Sequence, residues 1–319
     1  MKYYFAPMEG LTGYVYRNAH NCFFNNIDKY FSPFIVANQS ESFKNRELRD
    51  ILPENNQGLV VIPQLLTNNA EDFINTSKKL KCMGYDEINL NLGCPSGTVV
   101  SKGRGAGFLS RKKELDCFLY NIFSRSLTKI SIKTRIGKDQ PEEYYDLMEI
   151  FNKYPVHELI IHPRTQRDFY KNKPNIKVFK EALSMSKNTI CYNGDIFTVK
   201  DYKELTESFP NVEALMLGRG LLANPALASG IKNNTKLEKS LLKGFHDKIL
   251  SDYKALLYGE RNVLFKMKAV WFYMISVFSN NTRYAKRIKK SERLHDYEEA
   301  VSSLFREQEI LENYDTGQI

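Results

Sequence analysis

The apolar positions of this chain follow two alternating rhythms. Short, nearly continuous apolar runs occur at 2–7 (KYYFAP), 27–34 (IDKYFSPF), 59–65 (LVVIPQL), 87–92 (EINLNL), 130–135 (ISIKTR), 158–162 (ELIIH), 189–193 (TICYN) and 214–218 (ALMLG). Between them, apolar residues recur every three to four positions, as in 70–82 (AEDFINTSKKLKC) and 142–153 (EEYYDLMEIFNK). Continuous apolar runs suit parallel strands covered on both faces, and the helical period suits the elements that cover them. Strand and helix alternating about eight times predicts an α/β fold, a (β/α)8 TIM barrel. The run at 27–34 is the weakest strand, because Pro33 interrupts it.

The rhythm changes after Gly230. The polar stretch IKNNTKLEK (231–239) predicts a linker. Leu241, Leu242, Phe245, Ile249, Tyr253, Leu256 and Leu257 then recur at helical spacing. A second apolar helix is predicted from about Val263 to Phe278, with Trp271 inside it, followed by RYAKRIKK (283–290). The predicted organisation is a barrel over 1–235 and an all-helical C-terminal domain over 236–319.

Composition narrows the class. Hydrophobic residues make up 42% of 319, enough for a sizeable core, and no run approaches the roughly 18 apolar residues of a membrane span. The opening MKYYFAPMEG lacks a signal-peptide layout, so a cytoplasmic protein is expected. Five scattered cysteines contain no CxxC pair, which argues against a zinc site and against a disulfide framework. Residues 236–293 carry 14 Lys and Arg against 5 Asp and Glu, whereas 294–319 carry 1 against 7. A locally basic module suggests a polyanionic partner.

Chemistry in such barrels sits at the C-terminal ends of the strands. There the sequence places Pro7, Met8 and Glu9, then Gln64, Asn91 and Cys94, then Lys133 with Arg135, and His162 with Arg164. Asn193, Gly194 and Asp195 follow the seventh run, and Gly218 and Arg219 the eighth. Polar residues at seven of eight ends are hard to explain as packing, because buried polar groups need partners. Glycine after the last two strands lets backbone amides approach an anion, and Arg219 adds a bidentate charge, so a phosphorylated cofactor or substrate is expected.

The motifs APMEG, PQL, NLNLGCP, KTRIG, HPRT, NGD and LGRG, in this order, resemble those of the tRNA-dihydrouridine synthases. The resemblance spans the barrel and extends into the helical module. It implies reduction of the 5,6 double bond of uridine in tRNA, with FMN as cofactor and NADPH or NADH as reductant. It implies FMN contacts from Pro7, Met8, Glu9, Gln64, Lys133, His162, Asn193, Gly194, Asp195, Gly218 and Arg219. Cys94 matches the family's proton donor, and Asn91 a residue beside flavin and substrate. The chain has Pro163 where the family often has glycine, a departure that bears on the placement of Arg164.

This resemblance gives Cys94 a chemical purpose. Reducing uracil requires a hydride at C6 and a proton at C5. An ordinary thiol, with a pKa of roughly 8.5, is protonated at neutral pH and can supply that proton. A uridine inside folded tRNA must be swung out to reach such a site, which demands a grip on the phosphate backbone. Lys102 and Arg104, in the loop after Cys94, and Arg135 and Arg164 are candidate substrate contacts. So are Arg283, Lys286, Arg287 and Lys290, which share one helical face. Nothing requires more than a monomer. Two other classes fit parts of this pattern: an FMN barrel reducing a free pyrimidine or small enone, and an RNA-binding barrel without chemistry.

Overall fold

The computed structural model describes residues 1–38, 42–312 and 314. The chain packs as two compact units. One comprises Met1–Pro7, Asp28–Asp195 and Phe209–Met216; the other comprises Met8–Ile27, Ile196–Ser208 and the chain from Leu217 onward.

The first unit is built on one parallel sheet. Its strands are β1 (Lys2–Phe5), β2 (Lys29–Phe31), β3 (Ile35–Val36), β4 (Val61–Ile62), β5 (Gln64–Leu66), β6 (Glu87–Leu92), β7 (Lys129–Gly137), β8 (Leu159–Thr165), β9 (Ile190–Tyr192) and β10 (Ala214–Leu217). Their order is β3-β5-β6-β7-β8-β9-β10-β1-β2-β4. Pro33 falls between β2 and β3, and Pro63 between β4 and β5. Proline has no N–H to give to a ladder, so the predicted run 59–65 is divided, and the run 27–34 yields only β2, with β3 lying just beyond its predicted end. Rejoined, the halves leave eight strands, each beside its neighbour in sequence, which is the pairing of an eight-stranded parallel barrel. Helices Ala70–Cys82, Lys112–Arg125, Glu143–Phe151 and Ile176–Met185 fall between successive strands and bury their apolar faces. The first begins where predicted, because Asn69 accepts the N–H of Asp72 as an N-cap.

Residues two apart on a strand share a face. Phe31, Ile160 and Cys191 belong to one buried cluster inside this sheet. Two residues before Phe31 and Ile160 stand Lys29 and Glu158, toward the N-terminal ends of the strands. Lys29 Nζ lies 2.7 Å from Glu87 and 3.8 Å from Glu158, and the Tyr4 hydroxyl donates to Glu158 at 2.8 Å. One cation thus serves two nearly buried carboxylates. Burial raises the Glu158 pKa above the usual carboxylate range, against the pull of Lys29. Lys29→Met removes the lysine from both carboxylates, leaving only His157, 3.7 Å from Glu87 and charged only when protonated, and is expected to destabilise this unit by about 3–5 kcal/mol at neutral pH. A raised carboxylate pKa favours the fold while the group is protonated and opposes it once ionised. The loss should therefore be full above the raised Glu158 pKa and shrink as pH falls. Denaturant titrations at about pH 8 and about pH 5 check this; equal losses would mean that packing, not charge, is responsible.

The second unit is helical. Phe245, on the helix Lys239–Leu256, packs edge-on against Tyr16 and Phe24 of the helix Tyr14–Phe24, with ring centroids 5.4 and 5.3 Å apart. Gly244 permits this approach, since a Cβ there would lie 2.8 Å from the Phe23 ring. Trp271, on the helix Glu260–Met274, donates its indole N–H to the Tyr297 hydroxyl at 2.7 Å. The predicted linker is partly helical: Leu227–Asn233 runs into it and ends at Asn234, whose φ of 54° is left-handed. RYAKRIKK falls within the helix Thr282–Lys290. Among the described residues, no helix is long and apolar enough to cross a membrane.

Candidate active site

Strand register in the first unit aligns the polar residues near the C-terminal strand ends. Gln64 pairs with Asn89, Asn91 with Lys133, and Arg135 with His162. A line of amides links them. Asn89 Nδ2 donates to Ser131 Oγ at 3.0 Å, Gln64 Nε2 to Asn89 Oδ1 at 2.8 Å, and Asn91 Nδ2 to Gln64 Oε1 at 2.7 Å. Asn91 Oδ1 then accepts the backbone N–H groups of Gly93 and Cys94, at 3.0 and 2.9 Å. Each donor meets an acceptor, so every amide in the line has one orientation.

Cys94 is half-buried at the end of this line. Its loop is packed from behind by two glycines. A Cβ on Gly105, whose φ is +56°, would lie 2.8 Å from the Cys94 carbonyl, and one on Gly107 would lie 2.6 Å from the Val100 carbonyl. The glycine-rich stretch after the cysteine therefore serves close backbone packing. Farther along the loop, Asn68 donates to the carbonyls of Lys102 and Gly103 and accepts from Arg104 Nε. Lys102 is exposed and Arg104 half-buried.

Lys133 is half-buried overall, with its ammonium ringed by protein. Burial, aided by the Arg135 guanidinium, pushes it down to about 7. Among the described residues it has no hydrogen-bond or ion-pair partner. A cation held this way fits an electron-rich or anionic ligand.

The two arginines are occupied. Arg135 is 2% exposed; its Nε donates to the Gly93 carbonyl at 3.0 Å, and its Nη1 to the carbonyls of Thr165 and Phe169 at 2.8 and 2.9 Å. It ties the Cys94 loop to the loop after β8. Arg164 is equally buried and grips both oxygens of Asp195. Its Nη1 also lies 3.0 Å from His162 Nε2. A guanidinium cannot accept, so Nε2 accepts and the imidazole proton sits on Nδ1. Pro163 is absorbed where the β7–β8 register shifts between Arg135 and Gly137, and its carbonyl accepts the Asn175 N–H. Asn193 is buried and donates to the Met216 carbonyl at 2.8 Å. Gly194 is needed, because a Cβ there would overlap the Tyr192 hydroxyl at 2.0 Å.

The structure thus gathers Gln64, Asn91, Cys94, Lys133, Arg135, His162, Arg164, Asn193, Gly194 and Asp195 in one unit, with Pro7 at its edge. Met8, Glu9, Gly218 and Arg219 belong to the other. There, Met8 begins the turn into the Tyr14–Phe24 helix, its N–H donating to Thr12 Oγ1 at 2.8 Å. Glu9 is exposed. Arg219 lies over the Phe197 ring, 5.2 Å from its centroid. In the Thr282–Lys290 helix, Tyr284 and Ile288 are buried, Arg283, Lys286 and Lys290 are exposed, and Arg287 lies 3.7 Å from Glu299.

Two residues escaped the sequence reading. Asn89 was legible in principle, as a polar residue two before Asn91 and so on the same face of the strand. Tyr170 was not, since it stands in a polar loop. Its ring lies 5.8 Å from that of His162 and 5.3 Å from the Arg135 guanidinium carbon, yet it is 44% exposed.

The profile of the dihydrouridine synthase (Dus) family matches residues 4–316. The chain belongs to this family. Relatives within it include a probable tRNA-dihydrouridine synthase of Staphylococcus aureus, 27% identical over 259 residues, covering 78% of this chain and 77% of that protein. A tRNA-dihydrouridine(20a/20b) synthase [NAD(P)+] of Saccharomyces cerevisiae is 27% identical over 209 residues, covering 64% of this chain and 56% of that one. Among solved structures, histamine dehydrogenase from Rhizobium sp. 4-9 superposes with a TM-score of 0.55 at 10% identity, over 73% of this chain and 46% of that one. Morphinone reductase in complex with tetrahydroNAD gives 0.53 at 11%, over 76% and 90%. At such identities the structures speak for the fold alone, and the family rests on the sequence match.

Proposed function

We infer that this chain reduces uridine to dihydrouridine in tRNA, using a flavin and NAD(P)H. The observation that carries the site assignment is Lys133, an unpartnered and desolvated cation placed beside Asn91 and near the Cys94 loop. That donor set fits a flavin. When bound, the flavin supplies the hydride that uracil accepts at C6. Negative charge then develops on the pyrimidine, and the Cys94 thiol donates the proton that C5 requires. Asn91 and Arg135 both hold the Gly93–Cys94 peptide that leads to that thiol, so both act as positioning residues. His162 accepts from Arg164 at Nε2, which sets the orientation of its ring. Tyr170 offers an exposed ring beside it.

We propose FMN as the flavin. Pro7, Met8, Glu9, Gln64, Lys133, His162, Asn193 and Gly194 line it in this reading, and Asp195 acts through Arg164. Gly218 and Arg219 take its single phosphate. Residues 1–235 carry the cofactor and residues 236–319 the grip on tRNA, in a cytoplasmic monomer. An enzyme for a free pyrimidine or enone would leave the basic helix Thr282–Lys290 without a substrate to hold.

The test uses purified protein stripped of flavin. FMN should bind, and the reloaded protein should form dihydrouridine in tRNA only when NADPH or NADH is supplied. A bound flavin stabilises the Lys133 ammonium against loss of its proton. Affinity should therefore fall as pH rises through about 7, approaching tenfold per pH unit above it. Lys133→Met should bind more weakly and show a flat profile. A parent chain whose FMN affinity is constant from about pH 6 to about pH 9 would remove Lys133 from the flavin site.

A further inference from the structure

The helix Glu260–Met274 buries Val263, Leu264, Met267, Val270, Trp271 and Met274 on one side, which satisfies its packing in the second unit. Its opposite side is not the polar surface such a helix ordinarily shows. Phe265 is 72% exposed and Phe272 is 61% exposed. They stand seven residues apart, hence on one face, two turns and about 10 Å from each other. Arg261 and Lys268 share that stripe, at three- and four-residue spacing. Arg261 is exposed and has no hydrogen-bond or ion-pair partner among the described residues. Lys268 donates to the Ser291 carbonyl at the end of the Thr282–Lys290 helix, so the stripe adjoins the basic helix of the same unit.

Leaving two phenylalanines in water is unfavourable unless something covers them. An apolar protein surface would not favour an arginine and a lysine interleaved between the rings. Alternating rings and cations suit single-stranded nucleic acid, whose bases stack and whose phosphates pair. We propose that Phe265 and Phe272 stack on two unpaired bases of the tRNA, with Arg261 and Lys268 facing the intervening phosphates. This rests on the tRNA-reductase reading above, and it adds a grip on bases to one on the backbone.

The experiment uses the full chain and an unmodified tRNA transcript. Phe265→Ala with Phe272→Ala should raise the tRNA Kd about tenfold or more, while the slope of affinity against salt stays as in the parent. Phe265→Leu with Phe272→Leu should lose nearly as much, because leucine keeps the apolar area but cannot stack. Tyrosine at both positions should restore binding. The alanine pair should weaken binding of single-stranded oligouridine and leave that of an RNA duplex unchanged. FMN content and NADPH oxidation should not change, since both rings are exposed. A tRNA affinity equal to the parent's would overturn the proposal. So would full binding by the leucine pair, or a parent dimer that the alanine pair dissolves in sedimentation, since either assigns the stripe to protein contact. A parent chain that neither binds nor reduces tRNA would instead overturn the functional reading itself.

Discussion

Cys94→Ala is expected to retain flavin, to oxidise NADPH at the parent rate, and to reduce uridine in tRNA about 10²–10⁴-fold more slowly. The split follows from where the thiol acts. In the proposed role its proton goes to C5 of the pyrimidine, after the hydride has reached C6, and no part of NADPH oxidation depends on it. Alanine removes only Sγ, while the bonds and close approaches that shape the loop belong to the backbone N–H of Cys94 and to its carbonyl, which a Cβ on Gly105 would approach to 2.8 Å. The loop should keep its course, and the loss should be chemical. Single-turnover reduction of a tRNA transcript by reloaded variant and parent measures it. A variant as fast as the parent would return Cys94 to a packing residue.

The second large effect concerns binding. Replacing Arg283, Lys286, Arg287 and Lys290 together with alanine should weaken tRNA binding strongly. The log–log salt slope should flatten by about 0.7–0.9 for each phosphate that is no longer neutralised. The helix itself should survive, because Tyr284 and Ile288, which seat it, are untouched. Alanine also suits a helix interior. Arg287 is expected to contribute least, since Glu299 lies 3.7 Å from it and shares its charge. Affinities at several salt concentrations, with flavin content as the control, decide the matter. Unchanged slopes would leave this face as solvated surface and move attention to Lys102 and Arg104.

The strands were legible because parallel strands are covered on both faces and leave apolar runs. β6 spans Glu87–Leu92, as predicted, and the helix Ala70–Cys82 carries its own N-cap signal. Pro63 was the missed punctuation, and it divides a strand as Pro33 does. The polar strand ends were legible as a set, but their partnerships were not. That Asp195 answers Arg164, or that Gln64 joins Asn89 to Asn91, depends on register between strands 25 or more residues apart. The grouping of residues 8–27 with the C-terminal helices was equally hidden. It depends on Phe245 meeting Tyr16 and Phe24, more than 200 residues away in the chain.

The amide line from Ser131 to Cys94 has a consequence for how such an enzyme diversifies. The thiol is indexed to the sheet: its backbone hangs from Asn91 on β6 and, through Gly93, from Arg135 on β7. The outer part of the same loop, around Lys102 and Arg104, is held separately by Asn68. One segment therefore carries two moorings, and they are joined: the Ala106 N–H donates to the Cys94 carbonyl at 3.1 Å, and a Cβ on Gly105 would lie 2.8 Å from that carbonyl. A shift of the outer half that opened this joint would reach the Cys94 backbone. Change is therefore cheapest at the exposed Lys102 side chain and dearest at Gly105, where any side chain would press on the Cys94 carbonyl.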